Sequence, residues 1–205
     1  MLQRVKICGI TNLDDALSAA SFGADALGFV FYKKSPRYVD PSVANEILKH
    51  IPPFITPVAL FVDASTEEID AVIAGSSRWT IQFHGNESEQ ECLKFNRPYI
   101  KALRVRDPKS LSNQLVSYPS ASALLLDAYK EGVPGGTGET FDWNIVPKDM
   151  TIPIILAGGL TPVNVIEAIK IPSIYAVDVS GGVELSKGIK DKTKLKEFIL
   201  GVKRG

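Results

Sequence analysis

The sequence predicts a parallel eight-stranded (β/α)₈ barrel of the α/β class. Short apolar runs alternate with amphipathic helical stretches along the chain, giving about eight β–α units in 205 residues. The runs are continuously apolar, as expected for parallel strands buried on both faces. An open doubly wound sheet is the alternative, but Cys8-Gly9-Ile10-Thr11 after the first run lacks the glycine-rich pattern typical of that fold. We therefore expect one barrel domain over residues 1–205.

Each predicted element follows from local composition. The apolar runs, mostly closed by glycine, aspartate or serine, predict strands at Val5–Cys8, Ala26–Phe31, Pro57–Val62, Thr80–Phe83, Tyr99–Leu103, Ala123–Asp127, Ile154–Ala157 and Tyr175–Val179. Three helix starts combine an N-cap residue with proline at the first helical position, namely Asp40-Pro41, Asp107-Pro108 and Thr161-Pro162. Capping-box spacing predicts two more starts, at Ser65 and at Asn86.

The helices near the C-terminus differ in the strength of their patterns. A single apolar helical face is formed by Leu195, Phe198, Ile199 and Val202. The weakest helix lies between strands six and seven, where Phe141–Val146 allows only one or two turns before Pro147.

Composition excludes several classes of function. The 23 basic and 23 acidic residues balance, and no basic stripe appears, so we expect no nucleic-acid partner. The absence of a signal-like start or a long apolar run predicts no membrane association. Cys8 and Cys92 have no Cys or His partner nearby, which predicts no metal site and favours a reducing, cytoplasmic location.

Two glycine-rich turns follow the last two predicted strands, where barrels of this class commonly bind phosphate. Glycine lets backbone N–H groups approach an anion closely, and the helix after strand seven would present its positive end to the same place. One glycine pair would indicate only a tight turn, but two pairs in these loops favour anion binding. The sequence therefore predicts a phosphate site formed by Gly158, Gly159, Ser180 and Gly181.

Cys8 ends strand one and Asp127 ends strand six, at the end of the barrel where active sites form. A free cysteine is most often a small buried apolar residue, and we expect Cys92 to be one. Cys8 differs in its place at a strand end. A carboxylate closing the apolar run of strand six must find a partner or hold a proton. Asp127 therefore either caps the next loop or takes part in catalysis, and the residues alone favour neither role.

Other polar residues follow strand ends as well. Arg37 lies in the loop after strand two, and a guanidinium can hold a carboxylate by two parallel hydrogen bonds. Its neighbours Lys33 and Lys34 are expected to be solvated. His84 follows strand four with no second histidine nearby, which favours a hydrogen-bonding role over a metal ligand. The remaining candidates at strand ends are Asp63, Arg104 and Asp178.

A long glycine-rich segment covers residues 133–140. It lacks the Lys-Ser/Thr ending of a nucleotide-binding phosphate loop. We expect instead a mobile lid after strand six that covers Asp127.

Strand alternation places Lys6 on the same side of strand one as Cys8, facing the barrel interior. A buried ammonium needs a partner, and strand eight lies beside strand one in a closed barrel. We therefore expect Lys6 to pair with Asp178 and to lower the pKa of the Cys8 thiol.

Eight short motifs, taken in order, resemble a known family: KICGIT (6–11), GADA (23–26), GFVF (28–31), SPRY (35–38), QFHG (82–85), GGTGETFDW (135–143), AGGL (157–160) and VDVSGGVE (177–184). Together they cover almost the entire chain and resemble the phosphoribosylanthranilate isomerases. One departure is Ser180-Gly181-Gly182, where some members of that family have Ser-Ser-Gly. The change removes a hydroxyl donor but keeps the backbone N–H groups.

The resemblance implies a cofactor-free Amadori rearrangement of N-(5'-phosphoribosyl)anthranilate in tryptophan biosynthesis. It implies that Cys8 is the general base, that Asp127 is the general acid and that Arg37 holds the anthranilate carboxylate. It also implies that the two glycine loops hold the phosphate. We further expect the substrate to contact His84 and Asp178. The expected partner is a small phosphosugar, and the expected state is a monomer or a homodimer.

Two other functions stay open at this point. Another phosphosugar isomerase or synthase on the same barrel would use the phosphate loops but would not need Cys8, Asp127 or Arg37. A non-catalytic phosphometabolite-binding barrel is the other, because a fold by itself does not establish function.

Overall fold

A computed structural model describes residues 3–128 and 140–204 of the chain. Eight parallel strands, β1 to β8, pair in chain order, and β8 also pairs with β1, so the barrel is closed. The predicted (β/α)₈ architecture is confirmed. The glycine-rich segment predicted to be a lid lies, except for Thr140, outside the described residues. In order, the strands are Arg4–Cys8, Ala26–Val30, Thr56–Phe61, Thr80–Phe83, Tyr99–Val105, Ala123–Ala128, Ile154–Leu156 and Ile174–Val179.

The strands carry apolar side chains on both faces, and this produces two cores. Strand β6 illustrates the alternation, since Leu124 and Leu126 belong to the core between the barrel and the helices, whereas Leu125 belongs to the inner core. Asp127 continues the inner row and therefore faces the barrel mouth. The other buried members of the inner core are Val58, Ile100, Ala102, Ala123, Ile155, Ala157 and Ala176.

Seven α-helices, α1 to α7, surround the barrel in the described part of the chain: Leu13–Phe22, Pro41–His50, Thr66–Ile73, Glu89–Leu93, Pro108–Leu115, Val165–Ala168 and Lys192–Arg204. None of them is long and apolar enough to span a membrane. Asp40, Ser65 and Asp107 cap the helices that the sequence predicted they would start. Between β6 and β7, the described residues hold a single 3₁₀ turn at Trp143–Ile145.

Two predicted helix starts are wrong. Helix α4 is capped by Ser88, whose hydroxyl and Glu91 form the complete capping box, whereas the backbone N–H of Asn86 donates to Asp63. Helix α6 begins at Val165 and has only four residues. Thr161 instead exchanges hydrogen bonds with Asn164 in the preceding turn. A one-turn helix contributes little dipole, so an anion bound here would be held by the loop backbone.

A two-stranded antiparallel hairpin, which the sequence patterns did not predict, follows β8 and a short 3₁₀ turn. It consists of β9 (Glu184–Ser186) and β10 (Ile189–Lys190). The hairpin is attached to the start of the chain, because Thr11 Oγ1 donates to the Gly188 carbonyl and the Lys190 N–H donates to Asp15. The predicted apolar face of α7 is confirmed, with four fully buried residues: Leu195, Phe198, Ile199 and Val202.

Candidate active site

A cavity of about 400 Å³ opens at the carboxyl end of the barrel. Nine of the candidates taken from the sequence line it: Cys8, Arg37, His84, Asp127, Gly158, Gly159, Asp178, Ser180 and Gly181. Lys34, expected only to be solvated, is exposed and also lines the cavity. Asp63 and Arg104 lie outside it, since Asp63 holds Asn86 and Arg104 donates to the His84 carbonyl.

On the β1 side of the cavity, Cys8 lies beside a buried ion pair. Lys6 Nζ is 2.8 Å from Asp178 Oδ1, and both side chains are buried. The two residues face each other in the β1–β8 ladder, so the predicted Lys6–Asp178 pair is confirmed. Gly28 on β2 provides the space for this cluster, because a Cβ there would lie 2.9 Å from Cys8 Sγ and 3.1 Å from Lys6 Nζ.

Burial raises the pKa of the Cys8 thiol above its ordinary value, because a thiolate loses its hydration there. Lys6 and Lys190 act in the opposite direction on this pKa, while Asp178 adds to the increase. Lys6 thus has the predicted effect of lowering the thiol pKa, but burial outweighs this effect and the net shift is upward. Burial also lowers the pKa of the Lys6 ammonium, but Asp178 and Cys8 more than offset this, so its pKa is raised.

On the β6 side, Asp127 is held by a histidine. Asp127 Oδ2 lies 3.2 Å from His84 Nε2, and both side chains are buried. Gln82 Nε2 lies 3.0 Å from His84 Nδ1, and this amide donor favours the tautomer whose proton is on Nε2, facing Asp127. Within residues 3–128 and 140–204, no three His, Cys, Asp or Glu side chains are grouped to hold a metal ion. The hydrogen bond from His84 Nε2 therefore serves to orient the Asp127 carboxyl group.

The loops after β7 and β8 form the third wall of the cavity. Gly158 and Gly159 have φ angles of 82° and 63°, a conformation that favours glycine. The two loops are in direct contact, because a Cβ on Gly182 would lie 1.8 Å from the Leu160 carbonyl oxygen. Ser180 Oγ is buried and has no hydrogen-bond partner among the described residues. A buried, unpartnered hydroxyl in a cavity wall is suited to a polar ligand group.

Arg37 faces the cavity from the loop after β2 and is held from behind by Glu184. Arg37 Nε and Nη2 donate to the two Glu184 carboxylate oxygens at 2.7 and 2.8 Å. Glu184 also accepts from Lys190 Nζ at 3.2 Å. Neither Glu184 nor Lys190 was singled out from the sequence. The only available signal was the presence of two charged residues in the short segment after the strand-eight loop, which is equally typical of a solvated turn.

Comparison with known proteins gives a consistent result. The family model described as N-(5'-phosphoribosyl)anthranilate isomerase matches residues 5–200. A protein of that name from a Marinomonas species is 66% identical, and the alignment covers 98% of each chain.

Two solved structures are also similar. One is a phosphoribosylanthranilate isomerase in complex with reduced 1-(o-carboxyphenylamino)-1-deoxyribulose 5-phosphate. It is 39% identical with a TM-score of 0.86, and the match covers 99% of this chain and 100% of that one. The other describes monomers generated from the dimeric enzyme of Thermotoga maritima, with 38% identity, a TM-score of 0.87 and the same coverage. A full-length family match and a relative at this identity show that the chain belongs to the phosphoribosylanthranilate isomerase family.

Proposed function

We propose that this chain catalyses the Amadori rearrangement of N-(5'-phosphoribosyl)anthranilate to 1-(2-carboxyphenylamino)-1-deoxyribulose 5-phosphate. The observation that carries the proposal is the presence of Cys8 and Asp127 in the walls of one cavity with the two glycine loops. In the barrel order, β6 and β1 are separated by β7 and β8, so an acid and a base approach the cavity from different sides. Family membership supports the same reaction.

The two anionic ends of the substrate match two parts of the cavity wall. The phosphate would bind the backbone N–H groups of Gly158, Gly159 and Gly181 together with the unpartnered Ser180 hydroxyl. The anthranilate carboxylate would bind Arg37, whose pair with Glu184 uses two of its five N–H groups. With both ends held, the sugar carbons lie between them, in reach of the acid and the base.

The proposed chemistry consists of proton transfers. Asp127 in its protonated form gives its proton to the furanose ring oxygen, the C1–O bond breaks, and an iminium forms between C1 and the anthranilate nitrogen. The Cys8 thiolate then takes the proton from C2, and the C–H electron pair forms an enolamine. Transfer of a proton from the C2 hydroxyl to C1 through solvent gives the aminoketone. Solvent also returns Asp127 and Cys8 to their starting states.

His84 and Asp178 also line the cavity, and we propose that both contact the sugar in addition to their protein partners. Each already has a positioning contact: His84 with the acid Asp127, and Asp178 with Lys6 beside the base.

We further propose a monomeric or homodimeric enzyme in the cytoplasm. A dimeric relative from Thermotoga maritima supports the homodimer. Both cysteines are free thiols, which suits a reducing compartment.

A turnover assay tests the proposed reaction directly. The purified chain is mixed with N-(5'-phosphoribosyl)anthranilate, and loss of this substrate and formation of the aminoketone, which has the same mass, are followed by chromatography. We expect saturable, metal-independent turnover. Binding without turnover would favour a non-catalytic phosphometabolite-binding barrel, and turnover of a different phosphosugar alone would favour another isomerase or synthase.

A further inference from the structure

Two buried charged residues of the β9–β10 hairpin lie behind the active-site cavity. Neither Glu184 nor Lys190 belongs to the cavity lining formed by the described residues. Lys190 has a side chain that is 0% exposed, and that of Glu184 is 6% exposed. A charge buried this deeply needs several polar partners, and the identity of these partners indicates what the charge does.

Lys190 holds the backbone at two walls of the site. Its ammonium donates to the carbonyl of Cys8 at 2.6 Å and to the carbonyl of Ser180 at 3.2 Å. The β1–β8 ladder ends at Ile7 and Val179, so Cys8 and Ser180 are the first residues beyond it. Lys190 therefore joins the two strand ends at the point where the sheet hydrogen bonds stop.

The third hydrogen bond of Lys190 is to Glu184, which also binds Arg37. Lys190 Nζ lies 3.2 Å from Glu184 Oε1, the same oxygen that accepts from Arg37 Nε, and the Gly188 N–H also donates to it. Glu184 thus receives two cations and presents a fixed, planar pair of oxygens to the guanidinium. Although burial alone would raise the pKa of Glu184, Arg37 and Lys190 hold it below its ordinary value, so it stays charged.

Close packing fixes the rest of the Arg37 side chain. A Cβ on Gly9 would lie 2.7 Å from Arg37 Cδ, and a Cβ on Gly181 would lie 3.2 Å from Arg37 Nη2. The stem therefore packs against Gly9 and the guanidinium head against Gly181, while Glu184 sets the direction of the head. With both constraints, the remaining N–H groups have one direction relative to the cavity.

We propose that Glu184 and Lys190 are positioning residues of the active site: Glu184 aims Arg37 at the substrate carboxylate, and Lys190 fixes the ends of β1 and β8 that carry Cys8 and the phosphate loop. The proposal rests on the function proposed above. It assigns to the hairpin a role in the reaction in addition to its role in packing.

A double-mutant cycle tests the Glu184 half. Glu184→Gln should raise both KM and the dissociation constant of the reduced product analogue about tenfold, the size expected for one charged hydrogen bond, with little change in kcat. In the Arg37→Ala background, the same change should alter either quantity by less than about twofold, because Glu184 would have no arginine to aim. Glu184→Asp should restore part of the loss. Additive effects in the two backgrounds would overturn the aiming role.

Measurements of kcat and KM test the Lys190 half. Lys190→Met should lower kcat about tenfold and raise KM, because the Cys8 and Ser180 carbonyls lose their shared donor. Lys190→Arg should recover part of the activity, since a guanidinium can donate to the same oxygens. The matched control is Lys187→Met at the exposed hairpin turn, which should stay within about twofold of the parent.

Thermal unfolding of each variant separates positioning from packing. If Lys190→Met lowers only the unfolding midpoint, and kcat and KM well below that midpoint match the parent, the proposal is wrong. Should Lys190→Met fail to fold, the Glu184 cycle decides. Measurements on the parent enzyme distinguish the two proposals. If the parent neither turns over the substrate nor binds the analogue, the proposed function is wrong. If the parent is active and the variants match it, only the proposed role of the hairpin is wrong.

Discussion

The two sides of the cavity that carry the proposed base and acid are built differently. Cys8, on the β1 side, lies near the ammonium groups of Lys6 and Lys190. Asp127, on the β6 side, has His84 as its hydrogen-bond partner in the described part of the chain. Arg104 is opposite Asp127 in the ladder, but it donates to the His84 carbonyl.

This difference matches the opposite needs of the two groups. A thiol must become an anion to act as a base, and nearby cations favour that anion. A carboxyl group must hold a proton to act as an acid, and the hydrogen-bond partner of Asp127 in the described part of the chain is an imidazole, not an ammonium. The same cations on the β1 side also suit the anionic phosphate and carboxylate of the substrate. Positive charge is thus placed where anions form or bind.

The largest expected effect is loss of the base. Cys8→Ala should lower kcat by about 10²–10⁴, the usual span for general acid–base catalysis, while the variant still binds the product analogue. Steady-state kinetics and calorimetry measure the two quantities. The matched control is Cys92→Ala, which removes the buried thiol of α4 and should leave kcat unchanged. Turnover of Cys8→Ala within a few-fold of the parent would reduce Cys8 to a packing residue.

Loss of the acid should be comparable. Asp127→Asn keeps the shape and a contact with His84 but has no carboxyl proton to give, so kcat should fall by about 10²–10⁴ with analogue binding retained. Asp149→Asn, near the start of β7 and outside the cavity lining, serves as a control of the same chemistry. If Asp127→Asn retains most of kcat, another residue is the general acid, and Cys8 and Asp127 do not act as a base and acid pair.

Arg37 tests the anion-binding part of the β1 side. Arg37→Ala should raise KM by about 10- to 100-fold, from the loss of a charged hydrogen-bonded contact. Arg37→Lys should recover only part of this, because an ammonium cannot form the planar fork. The control is Arg4→Ala, which removes an exposed arginine paired with Asp25. Unchanged kinetics in Arg37→Ala would contradict the carboxylate assignment.

The pH dependence of kcat/KM tests the electrostatics around Cys8. Because burial raises the thiol pKa, kcat/KM should still be rising with pH as neutrality is passed. Lys6→Met removes a cation that lowers this pKa and leaves Asp178 unpaired, so the rising limb should move to higher pH. Each unit of movement should cost about tenfold in rate at neutral pH.

The control for this experiment is Lys101→Met, which breaks another buried ion pair, with Glu87 at 2.8 Å, outside the cavity lining. Lys101→Met should lower the midpoint of thermal unfolding without shifting the rising limb of the kcat/KM profile. A Lys6→Met profile that coincides with the parent profile would show that Lys6 only stabilises the barrel.

The smallest effect is expected when a methyl group is added at Gly28, in the space beside Cys8. Gly28→Ala places a methyl group 2.9 Å from Cys8 Sγ and should cost about 1–3 kcal/mol of unfolding free energy, together with a loss of activity. Gly201→Ala in α7 meets its nearest atom at 3.5 Å and should stabilise by about 0.5–1 kcal/mol without changing activity. Chemical denaturation measures both. A neutral Gly28→Ala would mean that the Cys8 cluster can readily rearrange.

The sequence by itself determined the architecture and most of the proposed site. Continuous apolar runs with helix signals between them specify parallel strands, and each of the eight barrel strands overlaps a predicted one with ends that differ by at most two residues. Once the strands are known, the barrel rule places their carboxyl ends together, so Cys8 and Asp127 could be identified from local position. The Lys6–Asp178 pair followed from alternation and barrel closure.

Only the tertiary structure decided which charges support that site. Arg37 and Glu184 are 147 residues apart in the chain, and Lys190 and Cys8 are 182 apart. Glu184 and Lys190 lie on a short hairpin with no strong periodicity, where charged residues are equally typical of a solvated turn. The start of α6 likewise depended on the Thr161–Asn164 turn. Local patterns fix backbone state because their interactions are local, whereas the partners of a buried charge are set by packing between distant segments.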